Sequence, residues 1–407
     1  MEESGFLPVF DRSVRRAGID RLLRKVLGPY FIILLVIIGI GAWNQIGFHE
    51  GFNIGDWLIN YQGGFVRRGF AGEILYLLAR LTSLSPAVLL VAFQSAIFSV
   101  YFFFSYKILQ KKSDLVKYMT LIFSPFLFTF AINSQAGGYR KEIIYFAVLA
   151  VTVYAHQFYD PQKFKRLVFW ILFLYPMVIL TDELGLVILP LLAAIFWDKI
   201  HPADSRTRIV LALLLLENAS AFCLVILNHQ VSANQVNKII DSLIQTGYDP
   251  KGSGGAIGAL HSSTLANMID TFGSIINAKY YLYYPFALLL CSIAYIPLRK
   301  NIERAFRNQS LVIGYAGSMV ILIPVFIIAN DWGRWSYILL VELFMMILIV
   351  DDEKTNIPEI ERMEYGPVSI FTRSVLLASY ALFWYLPHVL ENGSSWHNLF
   401  HNLPFAN

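Results

Sequence analysis

Long runs of apolar residues, separated by short polar and charged clusters, make up most of this chain. About 20 apolar residues in a helix match the roughly 30 Å hydrocarbon core of a bilayer, so each long run predicts a membrane-spanning helix. The pattern predicts about eleven. They lie at residues 30–46, 86–108, 118–132 and 143–158, in a fifth run ending at 181–185 and a sixth running to Lys199. The seventh is 209–227, the eighth ends at Arg299, the ninth at 330–337, the tenth enters 351–362 and the eleventh is 375–390. The expected fold class is an all-α polytopic membrane protein, one transmembrane domain over residues 1–407. A β-barrel would show short alternating segments instead. Two stretches break the rhythm, residues 48–84 and 229–281. The first carries HEGFNIGDWLINYQGGFVRRGFAGEILYLLAR, in which Glu50, Asp56, Arg67, Arg68 and Glu73 crowd together with Trp57 and Tyr61, and Gly63-Gly64 supplies a hinge. From about Phe70, Ile74, Leu75, Leu77, Leu78 and Leu81 predict an apolar helix face lying flat on the membrane surface. The second stretch is polar, includes KGSGG at 251–255, and has room for one or two short helices.

Composition agrees with this reading. Of 407 residues, 57% are hydrophobic and 15% charged, against roughly 25% charged in soluble domains. Basic residues set the orientation. All but nine of the 32 Lys and Arg fall in segments that alternate with the spans from residues 1–27 onward. Basic flanks stay cytoplasmic, so the pattern predicts a cytoplasmic tail at 1–27, periplasmic loops at 48–84 and 229–281, and a periplasmic C-terminus. The first apolar run is long and lacks a small-residue cleavage pattern, so it is expected to remain as a span. Cys223 and Cys291 lie in apolar runs and read as inert packing residues. No phosphate-binding Gly-Lys motif, zinc-ligand spacing or nucleic-acid module is present. The eight histidines are scattered and form no ligand pattern; His49 and His261 are the two singled out as candidates.

The nine outer basic residues point to candidate chemistry. Arg67-Arg68, Arg140-Lys141 and Arg334 stand at span ends, each near an acid: Asp56 and Glu73, Glu142, Asp331. Asp182 and Glu183 belong to the same level. Charges there are costly to bury unless paired or in a watery cavity; solvated loop residues or structural salt bridges are the plain alternative. Arg67, Arg68, Arg140, Lys141 and Arg334 suit an anionic headgroup, since Arg binds phosphate oxygens through a planar fork. Tyr61, Trp332 and Trp335 suit stacking on a sugar face, although Trp at this depth also serves as an interface anchor. Asp331 precedes the first tryptophan and Arg334 lies between the two. Asp56, Asp182 and Glu183 are the acid/base candidates for taking a proton from an attacking hydroxyl. The same carboxylates could hold a hard divalent ion, though no spacing demands one and no other cofactor is expected. Glu217, inside the seventh span, reads as a structural acid rather than a proton relay.

The NIGDWLINYQGGFVRRGFAGEIL loop and the later NDWGRW resemble polytopic inner-membrane proteins of bacterial surface-polysaccharide clusters: O-antigen or capsule repeat-unit polymerases and GT-C-type glycosyltransferases. The layout, with a first-loop acid followed by an interfacial helix, is similar to the GT-C class. That resemblance implies an undecaprenyl phosphate- or diphosphate-linked sugar or repeat unit as donor, a glycan acceptor, and transfer at the periplasmic face of the inner membrane. Asp56 would be the base. A lipid-linked glycan flippase or polysaccharide transporter is a second expectation, and would need polar residues through the membrane depth. A membrane acyl- or phospho-group transferase that decorates glycans is a third, and would need a reactive histidine.

Overall fold

The computed structural model describes residues 7–48, 51–250, 255–350, 370–390 and 399. His49, Glu50, Lys251 and the charged stretch 351–362 lie outside the described residues. Among the described residues there is no strand. The main helices are α1 (Leu7–Phe48), α2 (Asn53–Leu58), α3 (Phe70–Thr82), α4 (Pro86–Leu109), α5 (Glu142–Phe158), α6 (Pro161–Leu174), α7 (Pro176–Thr181) and α8 (Leu189–Ile200). The second half adds α9 (Ser205–Leu227), α10 (Ala233–Gln245), α11 (Thr264–Asn277), α12 (Tyr280–Tyr295), α13 (Arg299–Arg307), α14 (Gln309–Ile328), α15 (Trp332–Ile349) and α16 (Ile370–Leu382). Several start at side-chain caps that satisfy the free amides of the first turn. Asp160 accepts from the Gln162 and Lys163 amides ahead of α6, with Pro161 opening that helix. Ser232 and Gln235 form a reciprocal capping box on α10.

Seven described stretches are long and apolar enough to cross a membrane: Arg16–Ile46, Pro86–Leu109, Pro161–Thr181, Ser205–Leu227, Tyr280–Arg307, Gln309–Ile328 and Trp332–Ile349. The chain is a helical membrane protein. α5 is apolar but shorter. α15 is the central helix, with 78% of its apolar window enclosed, whereas α9 encloses 17% and lies at the outside. The outward faces keep large apolar side chains such as Ile32, Val36, Leu213, Leu216, Ile313 and Val320 exposed, which suits lipid. α8 and α14 pack closely because Gly314 carries no side chain: a Cβ there would stand 2.5 Å from that of Ala194.

Two predicted spans are not continuous helices. Residues 118–132 form short turns, Leu115–Tyr118 and Met119–Ile122, followed by Phe130–Asn133. Pro125 cannot donate a helical hydrogen bond, and side chains take over: Thr129 donates to the Ser124 carbonyl and Asn133 to that of Pro125. Irregular backbone is tolerated in a bilayer only where protein encloses it, and Phe126, Leu127, Phe128 and Phe130 are all buried. In the predicted eleventh span, α16 stops at Leu382 and residues 383–390 run on without helix. α3 forms as expected, but its faces divide differently. Ile74, Leu77, Leu78 and Leu81 are exposed, one stripe of positions i, i+3, i+4 and i+7, while Leu75 turns inward.

Candidate functional site

Two small packing devices place the loop that carries Asp56. Trp57, fully buried on α2, donates from Nε1 to the Tyr139 carbonyl at 2.8 Å, and Gln94 donates to the same oxygen at 3.0 Å. This fixes α2 against residues 139–142, so Asp56 comes level with Arg140, Lys141 and Glu142. Gly72 then lets α3 turn back over the loop, since a Cβ there would lie 1.9 Å from the Ile59 carbonyl oxygen. Arg68, between them, adopts a left-handed φ of 64°. A side chain in that region is strained, and surrounding contacts must hold it.

Those contacts are carboxylates. Arg68 Nε lies 3.0 Å from both Glu183 oxygens and Nη2 lies 2.7 Å from Oε1. Its Nη1 is 3.6 Å from Asp56 Oδ1, and its Nε is 3.8 Å from Asp182 Oδ1. Arg67 shares Glu183 at 3.4 Å. Lys141, fully buried, donates to the Thr181 carbonyl at 2.9 Å and the Arg68 carbonyl at 3.1 Å. It also stands 3.7 Å from Asp56 Oδ1. That oxygen is buried between two cations and accepts no hydrogen bond.

The local field separates the three acids. Burial favours protonation of Asp56, but Lys141, Arg140, Arg68 and Arg334 override it and hold the carboxyl well below the usual range. Burial also works to raise Glu183, and Arg68 and Arg67 bring it down to about 2. Asp182 goes the other way: burial dominates, Arg68 opposes it, and the negative charges of Glu183 and Asp56 add to the rise. Lys141 is lowered by burial against the pull of Asp56 and Asp182.

A second group adjoins the first. Arg334, at the start of α15, donates from Nε to Glu142 Oε1 at 2.9 Å, binds the same oxygen through Nη2, and donates from Nη1 to Asp331 at 2.8 Å. Its guanidinium lies 4.9 Å from the Trp335 ring centre. Arg140 is different. It is 9% exposed, donates from Nη1 to the Phe52 carbonyl at 2.9 Å, and has no carboxylate within 4.0 Å among the described residues. Its Nε–H is buried without a partner. Residues 384–390 close this side. The Pro387 carbonyl oxygen would lie 1.8 Å from a Cβ on Gly333, and the Gly333 amide donates to the His388 carbonyl at 3.1 Å. His388 rests on Gly137, and its Nδ1 is 3.2 Å from Ser134 Oγ.

No protein-family profile, curated protein sequence or solved structure matches this chain. The site is therefore read from its own geometry. Asp56, Arg67, Arg68, Lys141, Asp182 and Glu183 form one network, and Arg140, Asp331 and Arg334 adjoin it with Glu142. Among the aromatic candidates, Tyr61 and Trp332 pack mainly against other aromatic rings, whereas Trp335 lies under Arg334. Tyr61 stacks on Phe65 at 5.4 Å and its amide donates to Glu73 at 2.8 Å. Trp332 donates to the Phe326 carbonyl and packs among Tyr280, Tyr284 and Phe326. Trp335 is 3% exposed beneath Arg334, so it offers no open face to a sugar. Among the described residues, no three His, Cys, Asp or Glu side chains are placed to hold a metal ion. A cleft of about 530 Å³ lies elsewhere, between the ends of α3 and α10, lined by Tyr76, Ala79, Arg80, Ser83, Gln245, Thr246 and Gly247.

Four titratable side chains fall differently from their sequence context. Glu217 is exposed on α9, the least enclosed span. The acid enclosed among the spans is Glu342 of α15, with both oxygens unpartnered. His261 is committed to the Val231 carbonyl at 2.9 Å, whereas His388, unremarkable in sequence, joins the charged site. The one sequence signal at His388 is the proline before it, which ends helix and favours an extended strap.

Proposed function

We propose that this protein is a membrane glycosyltransferase or repeat-unit polymerase, moving a sugar or repeat unit from an undecaprenyl phosphate or diphosphate carrier to a glycan acceptor. The reaction takes place at the periplasmic face of a bacterial inner membrane. The observation that carries the reading is Arg140: a buried cation, with an unused N–H, beside carboxylates already committed to other cations. A buried guanidinium with no carboxylate in direct contact leaves its N–H poorly satisfied, which is costly, and a phosphate oxygen of a bound carrier would satisfy it. Arg67 has a second buried, unpartnered Nε–H. The exposed Ile74, Leu77, Leu78 and Leu81 stripe of α3 gives a lipid-facing surface for the polyprenyl chain.

In this reading Arg140 and Arg67 stabilise the charge that grows on the departing phosphate. Asp56 faces the reacting carbon as a permanent carboxylate, with Oδ1 free to orient the acceptor hydroxyl or to balance positive charge at the anomeric centre. The cations that hold it ionised also make it a weak proton acceptor, so its role is electrostatic rather than that of the base the resemblance implies.

The test is a comparison of strains. Asp56→Asn and Arg140→Ala should each abolish surface polymer at unchanged protein level, with polyprenyl-linked glycan accumulating on the outer leaflet. Polymer of normal amount and length in both variants overturns the proposal. Accumulation confined to the inner leaflet supports the flippase alternative instead.

A further inference from the structure

We infer that His388 is the group that receives the proton of the acceptor hydroxyl, a role that rests on the glycosyl-transfer reading. Residues 384–390 are held by backbone contacts on two sides: Gly333 against Pro387 and His388, and the Tyr284 hydroxyl donating to the His388 carbonyl at 3.0 Å. The ring is then fixed by Ser134 Oγ at Nδ1, 3.2 Å away. Nε2 makes no hydrogen bond among the described residues, although the residue is only part-exposed. One nitrogen anchored and the other open is the arrangement a histidine base needs, in the tautomer whose Nδ1–H donates to the serine hydroxyl.

The charged groups facing this imidazole are Asp331 at the start of α15, Arg334 within it, and Arg140 before α5. Burial lowers the imidazole, Asp331 opposes, and Arg334 and Arg140 add to the fall, bringing it down to about 4. The ring is thus neutral at physiological pH, with its lone pair available. It stands beside Arg140, the cation assigned to the departing phosphate. The charge of Arg140 reaches both His388 and Asp56.

The acceptor oxygen forms a bond to the anomeric carbon and gives its proton to Nε2. The bond from that carbon to the phosphate oxygen breaks, and its electron pair leaves with the phosphate beside Arg140. In the tautomer this role requires, Nδ1–H donates to Ser134 Oγ throughout, and Asp331 stabilises the imidazolium until water removes the proton.

The experiment uses the full chain in lipid nanodiscs. Diethyl pyrocarbonate acylates unprotonated imidazole nitrogens, and peptide mass spectrometry reports which of the eight histidines reacts. His388 should react, at a rate nearly constant from pH 7.5 to 5.5, whereas an ordinary histidine slows as it protonates near 6.5. Acylation should abolish transfer and hydroxylamine should restore it. His388→Gln should lower transfer at least about 100-fold, at normal protein level, and accumulate the lipid-linked donor. A His388 that stays unmodified in the folded protein, or acylation at His388 without loss of transfer, overturns the role. Normal transfer in His388→Gln together with loss in Arg140→Ala also removes His388 while leaving glycosyl transfer in place. Normal transfer in both removes the underlying reading.

Discussion

Arg68 and Arg140 belong to adjoining charge networks, and they spend their charge in opposite ways. Arg68 is surrounded by Glu183, Asp182 and Asp56, and its strained backbone shows how firmly those contacts hold it. Arg140 meets a backbone carbonyl and nothing negative within 4.0 Å among the described residues. A guanidinium whose acids are all present is a structural brace. A guanidinium buried without them is an unfinished contact. The contrast extends to their surroundings. The Arg68 side is knit across α2, the α7 end and the α3 approach, whereas the Arg140 side is closed by the separate strap at 384–390. Sequence distance does not reveal this division, since both arginines sit beside another cation at a span end.

The largest expected effect comes from breaking the brace. Arg68→Ala leaves Glu183 and Asp182 facing each other without their main cation. Removing one partner of a buried ion pair costs about 3–5 kcal/mol; the quarter-exposed Arg68 side chain places this case at the lower end. Purified protein should show a clearly lowered unfolding temperature and reduced membrane level. Arg68→Ala combined with Glu183→Gln should recover part of the loss, because the uncompensated charge is then gone. An unchanged unfolding temperature in Arg68→Ala would reverse the assignment of brace and ligand site.

A smaller, more selective effect is expected at Arg140. Arg140→Lys keeps the charge but removes the planar fork and the idle Nε–H. A charged hydrogen bond is worth roughly 1.5–3 kcal/mol, about 10- to 100-fold in rate. Transfer should fall by that factor while the unfolding temperature stays near that of the wild type. A Lys variant that is fully active would mean that the unpaired N–H binds nothing in the reaction. One that unfolds like Arg68→Ala would make the two arginines alike after all.

How much of this was legible in the sequence follows from periodicity and range. The helical class and the α3 helix are local signals of apolar run length and spacing, and the structure keeps them. The broken segment at 118–132 was not legible, because its hydrogen bonds run from Thr129 and Asn133 to carbonyls that an unbroken apolar run conceals. The inward turn of Leu75 was hidden for a similar reason, since a leucine stripe does not say which edge meets protein. The acids and bases were visible as a set, but their partition was not. Arg68 to Glu183 and Arg334 to Glu142 are pairings over more than a hundred residues. His388 was invisible because only the backbone fit at Gly333 and Gly137 carries it to Ser134.

The smallest expected effect distinguishes the two sides by pH. Glu183 titrates lower in the folded chain than in the unfolded one. Its contribution is complete above the unfolded carboxyl value and is lost only as pH falls toward about 2, so it is silent between pH 7.5 and 5. Asp182, raised in the fold, favours the folded state as pH falls toward the carboxylate range. His388 acts in a window of its own. Between its unfolded value near 6.5 and its folded value of about 4, the unfolded chain binds a proton that the folded chain refuses. The His388 contribution to stability should therefore drop as pH falls through that window, against the opposite slope of Asp182 and with Glu183 silent above pH 5. The difference in unfolding temperature between wild type and His388→Gln, followed from pH 7.5 to 5, isolates the term. The gap should change steadily in favour of the variant toward the acid end. A gap that is flat with pH would show that His388 gains its proton as easily in the fold as outside it, and the strap would then be a closure without a neutral base.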